Sequence, residues 1–186
     1  MTRYTVDEIL KLNPCSPYTR RKIQKLWGKR KSLALVSIMK LGIPVEDKLW
    51  VACRLIDHRS SVSWACDCAG RVLPTCEKEY PKDKRPRKAI KITRAWVAGK
   101  ATLEEVGVAA DAAADAAYAA ADADAAYAAD AAASAADAAY AADAATYAAA
   151  SAADAAADAA AERTWQSKRI LEYIRGEAKS PQGGAS

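Results

Sequence analysis

The sequence predicts an all-α protein, with an N-terminal multi-helix domain packed against long alanine-rich helices that form a hairpin or one extended rod. Three observations predict this class. Helix start and stop signals recur through residues 1–100, and residues 109–161 hold 37 alanines in 53 positions. No stretch alternates apolar and polar residues as a half-buried strand does, so we do not expect strands.

The first two helices are predicted from their terminal residues. Thr5 and Glu8 form a capping box, in which the hydroxyl and the carboxylate satisfy free backbone N–H groups at a helix start. Ser16 is expected to cap the second helix, with Pro17 in its first turn and Gly28 at its end.

Residues 32–41 are expected to form a mostly apolar turn and helix closed by Gly42 and Pro44, and three further helices complete the first hundred residues. One starts near Val45, one covers 62–73 and is ended by Pro74, and one opens at Pro86 and is terminated by Gly99. We interpret 1–100 as a basic helical domain. Residues 101–178 are then an acidic alanine-rich segment packed on it, and 179–186 a flexible tail.

The alanine segment is predicted to be helical because alanine has the highest helix propensity. Asp111, Asp115 and Tyr118 share one stripe of a 3.6-residue helix, whereas Asp124 and Tyr127 fall on roughly the opposite side. This change of phase predicts a break within 123–130 and a hairpin, with a continuous helix of about 80 Å as the alternative. Each alanine buries little area, so an alanine face needs many neighbours to be stable. A face that the chain itself does not cover would pack against a second copy, and we therefore expect a homo-oligomer.

Charge divides the chain into two halves. Residues 1–100 hold 23 Lys and Arg against 9 Asp and Glu, and residues 101–186 hold 5 against 14. Either the acidic half lies against the basic half inside one fold, or the basic half faces an anionic partner. Aspartates four residues apart, such as Asp111 and Asp115, repel unless a cation lies nearby. The first interpretation would supply that cation.

Two sets of side chains are candidate binding residues. A basic run at the start of a helix, where backbone N–H groups also favour anions, suits a phosphate or a carboxylate-rich protein. Aromatic side chains in or near the alanine segment suit stacking on a base or anchoring at an interface. The basic set is Arg85, Arg87, Lys88 and Arg94, and the aromatic set is Trp64, Tyr118, Tyr127, Tyr140 and Tyr147.

Neither a metal site, a cofactor nor an enzymatic activity is predicted. If 62–73 is helical, Cys66 and Cys68 point about 200° apart and cannot share a metal, and free cysteine is commonly a small buried hydrophobe. His58 has no local partner that indicates nucleophilic catalysis, and phosphate-binding glycine loops are absent from the sequence. The apolar runs are too short to span a bilayer, and an odd count of five cysteines without a secretion signal favours the cytoplasm.

One block of the sequence resembles the Imm-5-like immunity proteins. The similar stretches are Cys66-Asp-Cys-Ala-Gly-Arg-Val-Leu-Pro74, Glu77, Tyr80-Pro81, Arg85-Pro-Arg-Lys-Ala-Ile90 and Arg94-Ala-Trp-Val-Ala-Gly99. Cys15-Ser-Pro17 and the alanine-rich segment are similar in style, so the resemblance covers roughly 15–160, with 64–99 its specific part. It implies an all-α protein that neutralises a toxin in bacterial conflict, and it carries over no catalytic residues.

The sequence therefore predicts a cytoplasmic, non-enzymatic protein of a bacterial or phage conflict system, for immunity or counter-defence. It would bind a protein toxin or defence effector stoichiometrically, through basic helices and exposed tyrosines. One alternative is an oligomeric sponge for a small anionic nucleotide signal, held by the basic set with Trp64 or a tyrosine stacking on the base. The other is nucleic-acid binding, which rests on charge alone.

Overall fold

A computed structural model describes residues 2–178, without the side chains of residues 142 and 143. The predicted flexible tail, 179–186, lies outside the described residues. The described chain is helical apart from one two-stranded sheet, which confirms the all-α class. The elements in chain order are β1 (Arg3–Tyr4), α1 (Val6–Lys11), α2 (Arg20–Trp27), β2 (Leu33–Ala34), α3 (Leu35–Ile38), α4 (Val45–Leu55), α5 (His58–Glu79), α6 (Arg85–Val97), α7 (Leu103–Ala119), α8 (Ala123–Asp137), α9 (Ala142–Asp154) and α10 (Ala159–Arg175).

The short sheet corrects the expectation that strands are absent. The strands β1 and β2 pair antiparallel, with Arg3 opposite Ala34 and Tyr4 opposite Leu33. The Arg3 guanidinium also donates from Nη2 to the carbonyl of Ser32 at 2.7 Å. Each strand has two residues, which is too short for an alternating pattern to be visible in the sequence.

Side-chain caps start three helices of the N-terminal half, α1, α2 and α5. The Thr5–Glu8 capping box is present, and Gly28 ends α2 at φ +60°, both as predicted. The predicted cap at Ser16 is wrong, because α2 begins three residues later with Thr19 as its cap. Residues 15–18 form a turn instead, in which Tyr18 N donates to Cys15 O at 2.9 Å.

Helix α5 is longer than predicted at both ends. Asp57 caps its start, and the helix continues through Pro74 to Glu79, so the prediction that Pro74 ends it is wrong. A proline inside a helix removes one backbone hydrogen bond and crowds the preceding turn. The burial of eleven residues along α5 offsets that cost, since the helix is packed on several sides.

The alanine segment folds into three helices and the start of a fourth, so the predicted hairpin of two helices and the single rod are both wrong. The first break falls at 120–122, just before the expected 123–130, and the others fall at 138–141 and 155–158. Asp122 and Asp158 cap the helices that follow them, each accepting from a backbone N–H at 2.9 Å. Aspartate therefore ends and restarts helices here without glycine or proline.

Helix α8 lies between α7 and α9 and packs against α5 and α6. The alanines that face inward from α7, α8 and α9 are buried together with Trp64, Val62 and Leu73 of the larger core. A second core, with Ile23 and Trp27, lies in the N-terminal half. Because the chain itself covers these alanine faces, the argument from uncovered alanine for self-association no longer holds.

Candidate functional site

Two of the predicted anion-binding residues at the start of α6 have carboxylate partners. Arg85 Nη2 lies 2.6 Å from Asp83 Oδ2, and Arg87 donates from Nε and Nη2 to the two oxygens of Glu77 at 2.5 Å each. These hydrogen bonds from arginine lower the pKa of both carboxyl groups. Lys88 is exposed. Arg85 and Arg87 are thus engaged within the chain, whereas Lys88 forms no salt bridge among the described residues.

Arg94 belongs to a network centred on a buried carboxylate that sequence reasoning missed. Asp67 accepts from Arg94 Nη2 at 3.1 Å, from Arg169 Nε at 2.8 Å and from the Tyr173 hydroxyl at 2.7 Å. Burial and the nearby carboxylate raise the pKa of Tyr173. The network ties α5, α6 and α10 together. The sequence contains one signal of this network, which is that the ionisable Asp67 stands between two cysteines of a kind that is commonly buried.

Trp64, offered above for stacking on a base, lies in the core with no exposed surface. Its Nε1 donates to the carbonyl of Gln166 at 3.1 Å. An open depression of about 320 Å³ next to the Asp67 network is lined by Trp165 and two arginines, but Asp67 and Glu172 line it as well. Those arginines are bonded to carboxylates, so this depression has little net positive charge with which to bind a phosphate. It therefore gives little support to the nucleotide hypothesis.

The eight tyrosines fall into two groups by what their hydroxyls do. Five are bonded within the chain, and Tyr140 of the predicted set is among them, donating to Leu103 O. Tyr118, Tyr127 and Tyr147 are exposed by 91%, 45% and 66%, and their hydroxyls make no hydrogen bond within residues 2–178. The other bonded hydroxyls are those of Tyr4, Tyr18, Tyr80 and Tyr173.

These three tyrosines lie on the outward stripes of the three alanine helices, each with aspartates on the same stripe. We call this surface the Asp–Tyr face. Its residues are Asp111, Asp115 and Tyr118 on α7, Tyr127, Asp130 and Asp137 on α8, and Tyr147 and Asp154 on α9. Helical spacing puts each set on one side of its helix, opposite the buried alanines.

Contacts between helices join these stripes into one surface. Ser151 on α9 donates to Asp130 Oδ2 on α8 at 2.6 Å. Partial burial of its carboxyl, together with the charges of Asp111 and Asp130, raises the pKa of Asp137. The acids of α7 and α8 are thus close enough to repel one another, which indicates a concentrated negative surface.

The acidic helices α7, α8 and α9 pack against α5 and α6 of the basic half, and Asp115 lies close enough to Arg85 for their charges to interact. The expected ion pairs of these aspartates with the basic half are not seen among the described side chains. Among the side chains that the structure describes, no aspartate of 109–161 forms an ion pair with lysine or arginine. The two halves are joined instead by Arg71–Glu162 at 2.5 Å, Arg163–Glu46 at 3.1 Å and Arg169–Asp67. Because the alanines occupy the inner faces, the aspartates are left on the outer ones.

The cysteines and the histidine have structural contacts. Cys66 and Cys68 are fully buried, and burial raises the pKa of the Cys66 thiol to about 12. His58 Nε2 lies 2.7 Å from Ala138 O, and its ring meets Trp96 edge-on at 5.8 Å. The part of the chain that the structure describes holds no group of three His, Cys, Asp or Glu that could bind a metal. No described helix is both long and apolar enough to cross a bilayer.

The fold and this surface define a class: an all-α protein with an acidic, tyrosine-bearing outer face. Residues 52–173 match the family model described as Imm-5 like putative immunity protein, and the chain belongs to that family. The match confirms the resemblance seen in the sequence, although it begins and ends later than 15–160. It covers the whole Asp–Tyr face and the Asp67 network. No curated protein and no solved structure matches the chain.

Proposed function

We propose that this chain is a non-enzymatic immunity or counter-defence protein that neutralises an effector by stoichiometric binding. The effector would bind the Asp–Tyr face of this chain through a basic surface of its own. The family supports an immunity role. The observation that carries the proposal is the position of the unbonded tyrosines among unpaired aspartates on α7, α8 and α9. This differs from the expectation that basic helices would supply the contact surface.

Charge argues for a basic partner. Five aspartates share the face, and within the described chain none forms a salt bridge, although Asp115 lies close enough to Arg85 for their charges to interact. Burial raises the pKa of Asp137, and the charges of Asp111 and Asp130 raise it further, so their repulsion costs stability. A cationic surface would relieve that repulsion on binding, and it would accelerate association by electrostatic attraction.

The tyrosines argue for a protein partner. Tyrosine offers a rigid apolar ring and a hydroxyl, and it is enriched among the residues that dominate interface energy. Tyr118, exposed by 91%, packs against little of its own chain. Burial of such a ring at an interface recovers apolar area that folding leaves in water.

Photo-crosslinking in living bacteria tests this proposal. A photoreactive phenylalanine analogue replaces Tyr118 or Tyr147 in one pair of variants, and Arg21 or Lys29 on the exposed basic side in a matched pair. We expect one basic protein to be captured from the tyrosine positions and not from the basic positions. Capture of this same protein only from Arg21 or Lys29 would contradict the proposal.

The captured protein is then purified and titrated. Tyr118→Ala and Tyr147→Ala should each weaken its binding by about tenfold, the usual effect of an interface anchor. Excess wild-type chain should also abolish the toxicity of the captured protein in cells. A variant that combines Tyr118→Ala and Tyr147→Ala should not. Tyr4 is unsuitable as a control because its hydroxyl is bonded to Leu55 O, so Lys11→Ala, on exposed α1, serves instead.

A further inference from the structure

A long segment near the N-terminus contains cations and no acids. From Ile9 to Val45 the chain holds nine Lys and Arg and neither Asp nor Glu. The segment runs from the end of α1 through α2, β2 and α3. Among the described residues, Arg20 is the one cation of these nine that forms a salt bridge, with Asp7. The positive charge of this segment is therefore largely uncompensated within the described chain.

Helix α2 presents its cations to solvent on the side opposite the core. Ile23 and Trp27 are buried on one side of the helix. At 3.6 residues per turn, Arg21 and Lys25 fall on the other side with Lys22 beside them, and all three are exposed. Two more exposed lysines follow directly after the helix ends at Gly28. We call this surface the α2 basic face, and its residues are Arg21, Lys22, Lys25, Lys29 and Lys31.

The fold makes little use of these charges. Arg30 satisfies the end of α2, since it donates from Nε to Trp27 O at 2.9 Å and from Nη2 to Leu26 O at 3.1 Å. Lys22 lies over the Tyr18 ring at 4.0 Å from its centroid, which leaves its N–H donors available to an anion. Within the described chain, the side chains of the other four members of the face have no hydrogen bond or ion pair.

Repulsion between these cations points to an anionic ligand. Arg21 and Lys25 are four residues apart on one helix, a spacing at which like charges destabilise the helix. Lys29 and Lys31 add further positive charge just beyond the same helix. An anion bound across the face would relieve this repulsion, and the field of the face would attract it.

The surroundings of the face distinguish between classes of anionic partner. A helix that lies in a membrane interface inserts an apolar side, but the apolar side of α2 is buried in the second core. Protein interfaces and single-stranded nucleic acids use exposed aromatic side chains as anchors or stacking surfaces. The exposed large apolar side chains of the described chain all lie within 103–147, outside this face. The phosphate backbone of a duplex, in contrast, is bound by Lys and Arg without an apolar contact.

We propose that the α2 basic face binds the phosphate backbone of a nucleic-acid duplex without reading its sequence. The lysines and arginine of the face replace counterions along the backbone, and the release of those counterions favours binding. The Asp–Tyr face is repelled by the same phosphates, so the duplex lies on the α2 side of the protein. No residue of the Asp–Tyr face takes part, and the proposal therefore stands or fails independently of the proposed function.

Fluorescence anisotropy with labelled duplexes tests the proposal. The probes are two short DNA duplexes of unrelated sequence and an RNA duplex, each titrated at several salt concentrations. We expect the two DNA duplexes to bind equally, with a Kd of about 1–100 μM near physiological salt. The logarithm of the DNA association constant should fall with the logarithm of the salt concentration with a slope of about −4, as five phosphate contacts imply. The RNA arm shows which duplex the face prefers.

Three outcomes of this titration would overturn the proposal. One is the failure of both the DNA and the RNA duplex to bind. Another is a preference of more than tenfold for one DNA sequence, which would mean that bases are read. The third is tighter binding to polyglutamate or to phosphatidylserine vesicles than to either duplex, which would assign the face to an acidic protein or to a membrane.

Two variants of equal net charge locate the site. The first carries Gln at 21, 25, 29 and 31, and the second carries Gln at 82, 88, 91 and 100, which are exposed lysines outside the face. The first should bind DNA at least tenfold more weakly, and its salt slope should be shallower by about one for each lost phosphate contact. The second should bind nearly as the wild type does. Equal losses in the two variants would show that net charge, and not this face, binds the duplex.

A single substitution separates binding from folding. Lys25→Gln replaces an exposed side chain in the middle of the face, so the free energy of unfolding measured in urea should change by less than about 0.5 kcal/mol. The salt slope for DNA should nevertheless become shallower by about one. An unchanged slope in Lys25→Gln would contradict the assignment.

Discussion

The acids of α5 and the acids of the alanine helices have opposite environments within one fold. Asp67 is buried and bonded to two arginines and a tyrosine, whereas Asp111 and Asp137 lie on an outer face without a cation partner in the described chain. The first arrangement is typical of a structural network. The second costs stability, which supports the proposed binding role of the outer face.

The proposed function assigns folding and binding to different aspartates of the same chain. The network of Asp67 joins three helices, and its loss would leave two arginines without their shared partner. Among the described side chains, the aspartates of α7 to α9 form no salt bridge; Asp130 accepts a hydrogen bond from Ser151, and Asp115 lies near Arg85 of α6. Substitutions at the two kinds of site should therefore separate stability from effector binding.

The largest expected effect is at the buried network. Asp67→Ala should lower the free energy of unfolding by about 3 kcal/mol, because it removes the carboxylate shared by the partly buried Arg94 and Arg169, of which Arg169 keeps Glu172. Urea denaturation measures this change. Asp111→Ala, on the outer face, should be neutral or slightly stabilising, since alanine favours the helix. Equal losses at the two positions would refute the distinction.

A smaller effect is expected at the ion pair between α5 and α6. The pKa of Glu77 is lowered by its hydrogen bonds from Arg87, so the pair stabilises the fold above the ordinary carboxyl pKa. That contribution is lost as the pH falls through the lowered value. Glu77→Gln should cost about 1 kcal/mol at neutral pH, and much less in strong acid. If Glu77→Gln lowers the free energy of unfolding equally at neutral pH and in strong acid, the ion pair with Arg87 does not stabilise the fold.

The opposite sign is expected on the Asp–Tyr face. The pKa of Asp137 is raised, so its ionisation works against folding, and stability is lost as the pH rises through that value. Asp137→Asn should therefore stabilise the free protein at neutral pH, because the amide carries no charge to bury and none to repel Asp111 and Asp130. The expected gain is a few tenths of a kcal/mol, about the size of repulsion between neighbouring like charges on a helix. Thermal unfolding at neutral and at acid pH measures the difference, which should vanish in acid. Destabilisation at neutral pH would show that Asp137 has a structural partner.

The smallest effect on folding is expected at the exposed tyrosine. Tyr118→Ala should change the free energy of unfolding by less than about 0.5 kcal/mol, because the ring has few contacts. The same variant should lose about tenfold in effector affinity. A loss in stability equal to the loss in affinity would mean that Tyr118 acts through the fold.

Local signals in the sequence were sufficient for much of the helical pattern. The Thr5 capping box and the ends at Gly28 and Gly99 depend on neighbouring residues alone, and they were predicted correctly. The extra break before α10 was missed because an aspartate such as Asp158 can lie within a helix or cap one, and tertiary packing decides which. Pro74 was misjudged for the same reason.

The candidate site was predictable only in part. Helical spacing gave the stripe of Asp111, Asp115 and Tyr118, but not the outward direction of that stripe, which depends on the alanines packing against α5 and α6. The partners of Asp67, about a hundred residues away on α10, leave no local pattern.

The central claim is that the aspartates of the outer face bind the effector. The direct measurement is titration of the captured effector with a variant carrying Asn at 111, 115, 137 and 154, at several salt concentrations. A matched variant carries Gln at 21, 25, 29 and 31 on the basic side. We expect the Asn variant to bind at least tenfold more weakly and with less dependence on salt, and the Gln variant to bind as the wild type does. Unchanged binding by the Asn variant, with loss in the Gln variant, would contradict the account.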